Sequence, residues 1–219
     1  AGNSGYSIKL YLKESAFVGY NYVVARVVQN GTTTTINNAL VEFKPMMHMT
    51  GMSHSCPVEQ PMYNQDLNGY SGTTTFVMPS GSMGNWVYTV ELTPPGSSDV
   101  FSVDFSIDVV EKPEPRLFSF TSDVDAKKVF VALVEPWDAE VGINNFHIVI
   151  YEKQSMMMWP ALNGLTIEID PQMPSMGHGS PNNENPLFLD NGHYEGAVNF
   201  TMGGYWEVNL LFKDANGNV

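Results

Sequence analysis

Apolar and polar residues alternate with a period of two along most of this chain. The stretch "FSVDFSIDVV" (101–110) sets Phe101, Val103, Phe105, Ile107 and Val109 on one side and serine or aspartate on the other. "LTIEID" (165–170), "AVNFTM" (197–202) and "YWEVNLLF" (205–212) follow the same rule. Such alternation predicts strands with one buried face, and no segment carries a helical stripe. In the first half, strands are expected near 6–12, 20–28, 39–43, 73–78, 85–92 and 100–110, with a weaker one near 62–66.

The second half then echoes the first in the same order. "VGYNYVVA" (18–25) returns as "VGINNFHI" (141–148), and "ALVEFKPMM" (39–47) as "LTIEIDPQM" (165–173). "MSHSCP" (52–57) returns as "MGHGSP" (176–181), and "EQPMY" (59–63) as "ENPLF" (184–188). "GYSGTTTFVM" (69–78) returns as "HYEGAVNFTM" (193–202), and "NWVYTVEL" (85–92) as "YWEVNLLF" (205–212). A repeat this long is a pair of whole domains rather than a solenoid. About seven short strands per unit predict an all-β chain of two tandem immunoglobulin-like β-sandwiches. The expected division is 1–112 and 117–219, joined at 113–116 within "EKPEPR", where two prolines interrupt pairing. The second unit has no counterpart of the strand at 100–110, so the natural chain is expected to continue past Val219.

Composition narrows the partners. Lys and Arg number 10 against 23 Asp and Glu, a net charge of −13, which repels nucleic-acid phosphates and anionic lipid headgroups. No apolar run reaches membrane-spanning length, so no direct membrane insertion is expected. The polar start "AGNSG" reads as the remains of a tether left after a targeting segment was removed, in keeping with an exported protein. Cys56 is the single cysteine, so it is either a free thiol or a ligand.

The candidate chemistry lies in "KPMMHMTGMSHSCP" (44–57), where four methionines, two histidines and the cysteine crowd into fourteen positions. Both units keep the form P-x-M followed by M-x-H-x-[C/S]-P, expected as a loop just after a strand. The residues are Met47, Met52, His54 and Cys56 in the first unit and Met173, Met176 and His178 in the second. Thioether sulfur is soft, uncharged and needs no deprotonation, so Met with neutral His selects Cu(I) over hard cations. Ser180 stands where Cys56 stands, which makes the thiol an optional ligand. Flexible core filling is the competing reading, and for Met78 and Met202, in line with Phe76 and Phe200, it is the favoured one. Met156, Met157 and Met158 have no twin and receive no role, while His48 and Met49, absent from the shorter second motif, either tighten the first site or only lengthen the turn. His147 is expected to be structural or exposed in a strand, and His193 exposed in a turn. Phosphate loops, nucleophile elbows, HExxH motifs and repeated carboxylate pairs are all missing, so an enzyme is not expected.

With these motifs in order, each unit resembles a YtkA-like domain, an exported bacterial β-sandwich related to FixH. The second unit carries "PQMPSMGH" (171–178) and "HYEGAVNFTMGGYW" (193–206), close to the family pattern. The first lacks the Met-Pro dipeptide and carries an insertion, "PMMHMTGMSH". The resemblance implies a periplasmic or surface-lipoprotein location and a link to copper handling or cytochrome oxidase assembly. A membrane-bound protein of that kind is the implied partner besides the metal ion itself. The alternative function is a structural or adhesive surface module that binds a protein or glycan through its end loops.

Overall fold

The computed structural model describes residues 5–219, so the expected tether remnant falls almost wholly outside the described residues. The described chain is built from sixteen strands, and no helix in it is long and apolar enough to cross a membrane. It forms two compact units. One holds the residues up to Pro115 together with Ser155–Met158, and the other holds Arg116–Gln154 and Trp159–Val219.

The first unit contains β1 (Tyr6–Leu12), β2 (Gly19–Gln29), β3 (Leu40–Met49), β4 (Met52–His54), β5 (Val58–Asn64), β6 (Gly69–Phe76), β7 (Asn85–Thr93) and β8 (Phe101–Ile107). They pair antiparallel into two four-stranded sheets, β1-β2-β6-β5 and β4-β3-β7-β8. Both sheets turn one face inward, as the period of two requires. Val23, Ala25 and Val27 of β2 meet Val41, Phe43 and Met47 of β3 and Trp86, Tyr88, Val90 and Leu92 of β7 in one core.

The second unit contains β9 (Leu117–Thr121), β10 (Lys128–Glu135), β11 (Gly142–Lys153), β12 (Thr166–Met173), β13 (His178–Gly179), β14 (Glu184–Phe188), β15 (His193–Phe200) and β16 (Glu207–Lys213). Its first sheet has the order β14-β15-β11-β10-β9, and its second is β13-β12-β16. Among the described residues this second sheet has no counterpart of β8. The fold class is therefore the expected one, an all-β chain of immunoglobulin-like sandwiches.

One element differs from expectation. The strand predicted to stop at residue 43 runs on through Pro45 to Met49, and "MSH" returns beside it as β4. The P-x-M…M-x-H motif of the first unit is thus a β-hairpin, not an irregular loop. Pro45 is tolerated because β3 pairs β7 on one side here, while pairing with β4 begins at Met47, leaving the proline nitrogen an open side to face. Gly51, at φ 82°, makes the two-residue turn.

Much of the internal repeat proves to be structural. Asn21 accepts from Phe17 N and donates to Phe17 O and Gly19 O, and Asn144 makes the same three bonds to Glu140 and Gly142. Tyr70 O–H accepts from Ala39 N as Tyr194 O–H accepts from Leu165 N. Trp86 and Trp206 each donate their indole N–H to a methionine carbonyl, of Met78 and Met202 respectively.

Candidate metal centre

In the first unit, cross-strand register decides which side chains share a face. Met47 pairs with His54, and Met49 pairs with Met52, across the β3–β4 hairpin. Residues two apart on a strand point the same way, so these four side chains line one face of the hairpin. Directly opposed residues have Cβ atoms about 5 Å apart, within reach of a common ion for side chains as long as Met and His. Met47 also faces Trp86 on the neighbouring strand β7. His48 falls on the other face, exposed, with its Nδ1 3.2 Å from Ser53 Oγ.

Burial then grades the set. Met47 is fully buried and also packs in the core, whereas His54 is 4% exposed and Met52, near the hairpin tip, is 51% exposed. The His54 ring lies edge-on to Trp86 with centroids 5.3 Å apart. Its Nδ1 is 2.8 Å from Ser55 O, a pure acceptor, so the proton sits on Nδ1 and Nε2 keeps its lone pair. That Nε2 is buried with no hydrogen-bond partner. Leaving a buried acceptor unsatisfied costs about 1–3 kcal/mol, so such an atom calls for an explanation.

Cys56 is buried in the core of the first unit, and burial pushes its thiol well above the ordinary 9.0. It is therefore held as a neutral thiol. Among the described residues no three His, Cys, Asp or Glu side chains converge to hold a metal, so a site here depends on thioether sulfur.

The second unit repeats the arrangement in shorter form. Met173 pairs with His178, and the turn between them closes through Met176 N and Gly177 N, both donating to Met173 O. Met173 is 2% exposed and Met176 61%. His178 is half-buried, Nδ1 lies 2.9 Å from Gly179 O, and the ring packs on Trp206 at 5.7 Å. The same carbonyl anchor, one residue on, thus aims Nε2 of both histidines away from the backbone. Ser180, the twin of Cys56, is spent on donating to the Asn199 carbonyl.

Sequence reasoning placed two further residues differently. Met49 had no twin and was expected either to tighten the first site or only to lengthen the turn; register brings it to the Met47–His54 face. Its signal was the spacing 47/49 and 52/54, legible once the strand is carried through Pro45. His193 is buried rather than exposed, with its Nδ1 2.8 Å from His147 Nε2, because the position opens β15 against β11 instead of lying in a turn. Met78 is half-buried on the core as expected, but Met202 is 39% exposed. Met156, Met157 and Met158 are exposed, and within the first unit Met156 O accepts from Ser55 N.

Curated proteins give no match. Among solved structures, the Escherichia coli adhesin FdeC aligns at 11% identity with a TM-score of 0.30, over 96% of this chain and 60% of that one. Residues 123–210 match the family model described as YtkA-like, a stretch running through the second unit. Over these residues the second sandwich is similar to YtkA-like domains.

Proposed function

We propose that this is a non-enzymatic exported protein that binds Cu(I), one ion in each unit. His54 Nε2 and the sulfurs of Met47, Met49 and Met52 would hold the first ion, and His178, Met173 and Met176 the second. The observation that carries this reading is the buried, unpartnered Nε2 of His54 on a face otherwise made of thioethers. A neutral imidazole with neutral sulfurs suits a soft monovalent ion, and an all-neutral set discriminates against Ca²⁺, Mg²⁺ and Mn²⁺. Cys56, buried two residues on from His54, is an optional further ligand of the first ion, since Ser180 takes its place in the second unit. The YtkA-like match supports an exported location; we place the protein in the periplasm or, lipid-anchored, at the surface, with a membrane-bound copper-handling or oxidase-assembly protein as its partner.

The test is an anaerobic Cu(I) titration of the metal-free protein against a competing chelator. Two equivalents are expected. Met47→Leu with His54→Gln removes one, Met173→Leu with His178→Gln removes the other, and far-ultraviolet circular dichroism stays unchanged. Stoichiometry near zero, or two equivalents retained by the fourfold variant, sinks the reading and leaves the histidines as core residues.

A further inference from the structure

Both candidate sites carry a tryptophan ring in the same place. The strand order β4-β3-β7 sets His54, Met47 and Trp86 in one row, since Met47 pairs with His54 on one side and with Trp86 on the other. In the second unit Met173 pairs with His178, and the pairing of Gln172 with Glu207 brings Trp206 to the level of Met173. The His54 ring stands at 89° to the Trp86 plane and the His178 ring at 68° to that of Trp206, with centroids 5.3 and 5.7 Å apart.

The same contacts hold both indoles in that pose. The indole N–H donates to Met78 O at 2.9 Å in one unit and to Met202 O at 3.0 Å in the other. Phe76 and Phe200 pack on the two rings at 5.0 and 5.7 Å. The turns that deliver the rings differ, because Trp86 follows Met78 by eight positions and Trp206 follows Met202 by four. Burial differs as well: Trp86 is 1% exposed, whereas Trp206 is partly open. Core filling therefore accounts for Trp86 alone, while the placement beside the histidine is kept through a change of turn and of burial.

An aromatic face attracts a cation within about 6 Å of its centroid, and tryptophan does so most strongly. The other two tryptophans already carry a cation of this chain. The Arg116 guanidinium lies 4.9 Å from the Trp137 centroid, and the Lys153 ammonium 5.2 Å from that of Trp159. At Trp86 and Trp206 the neighbours along the row are thioether and imidazole instead.

We propose that Trp86 and Trp206 are ion-contacting residues: each indole face lies against the soft monovalent ion, attracts it and closes the site to water. The inference rests on the Cu(I) reading of these sites and adds a determinant of specificity to it. A hard divalent ion that keeps its waters or needs six or more oxygen ligands gains nothing from such a wall.

The probe is the 219-residue chain labelled with fluorotryptophan and followed by fluorine NMR as Cu(I), or redox-inert Ag(I), is added without oxygen. Trp137→Phe, Trp159→Phe and Trp206→Phe assign three of the four signals and leave that of Trp86 by elimination. The Trp86 and Trp206 signals are expected to shift and to reach their end points at two equivalents, while those of Trp137 and Trp159 hold still. Trp206→Leu should weaken the second site about three- to thirtyfold, and Trp206→Phe should recover part of that loss. Two ions bound with the Trp86 and Trp206 signals unmoved, or with all four shifted alike, overturns the inference and leaves the copper reading intact. So does a Trp206→Leu variant that binds as tightly as the parent. No ion bound at all sinks the copper reading, and this inference with it.

Discussion

Cys56 shows how one buried side chain couples the fold to pH. Burial alone holds its thiol well above 9.0, so the folded state keeps a proton that the unfolded state releases. A raised native value means stability is complete below the unfolded value and is lost as pH climbs toward the native one. Urea midpoints should therefore fall above pH 9.0, and Cys56→Ala should flatten that fall. Tyr88, also raised by burial, adds a later loss above its ordinary 10.0 that the variant retains. A thiol reagent at neutral pH should leave the native protein unmodified and label the denatured one. The sequence exposed Cys56 as the single cysteine but not its environment, because nothing in "SHSCP" tells whether the chain turns inward. His54 was legible as a candidate from its twin His178. Its unpartnered nitrogen was not, since that depends on the Ser55 carbonyl and on Trp86, more than thirty positions away in the chain.

Strand positions were largely readable, because alternation fixes which residues turn inward. The repeated "EQPMY" and "ENPLF" were visible as a pair but unexplained. Each proves to be an edge-strand bulge: the register of β5 slips between Glu59 and Met62, and that of β14 between Glu184 and Leu187. The amide side chain inside the bulge reaches the other sheet. Gln60 accepts from Phe43 N and donates to Phe43 O, and Asn185 accepts from Ile169 N. The bulge pushes its backbone toward the middle strand, where a Cβ on Gly72 would lie 2.5 Å from Glu59 O and one on Gly196 2.3 Å from Glu184 O. That explains the glycine shared by "YSG" and "YEG". Gly72→Ala and Gly196→Ala should each destabilise their own unit by about 1–3 kcal/mol, read from urea unfolding followed by amide exchange in β6 and β15. Asn21→Ala strands the Phe17 amide and two carbonyls in a buried place and should cost a similar amount, about 1–3 kcal/mol.

On the scale of the whole chain, duplication was plain in the sequence, and so was the lack of a twin for 100–110 within residues 117–219. The extra strand β9 was not foreseen, since "LFSFT" had no twin to mark it. Among the described residues the cores are unequal: fifteen buried residues cluster in the first unit and eight in the second. The amides of β12 and β16 should exchange faster than those of β3 and β7 under native conditions, and equal protection would contradict this account. The proline bulges bear on what happens when many copies meet. Pro61 and Pro186 sit in the bulges of β5 and β14, the outer strands of the two first sheets, where the register slip breaks the straight edge a neighbouring molecule would pair with. Along those two borders copies of the chain cannot zip into a growing ribbon, so crowding alone gives no route there to a filament.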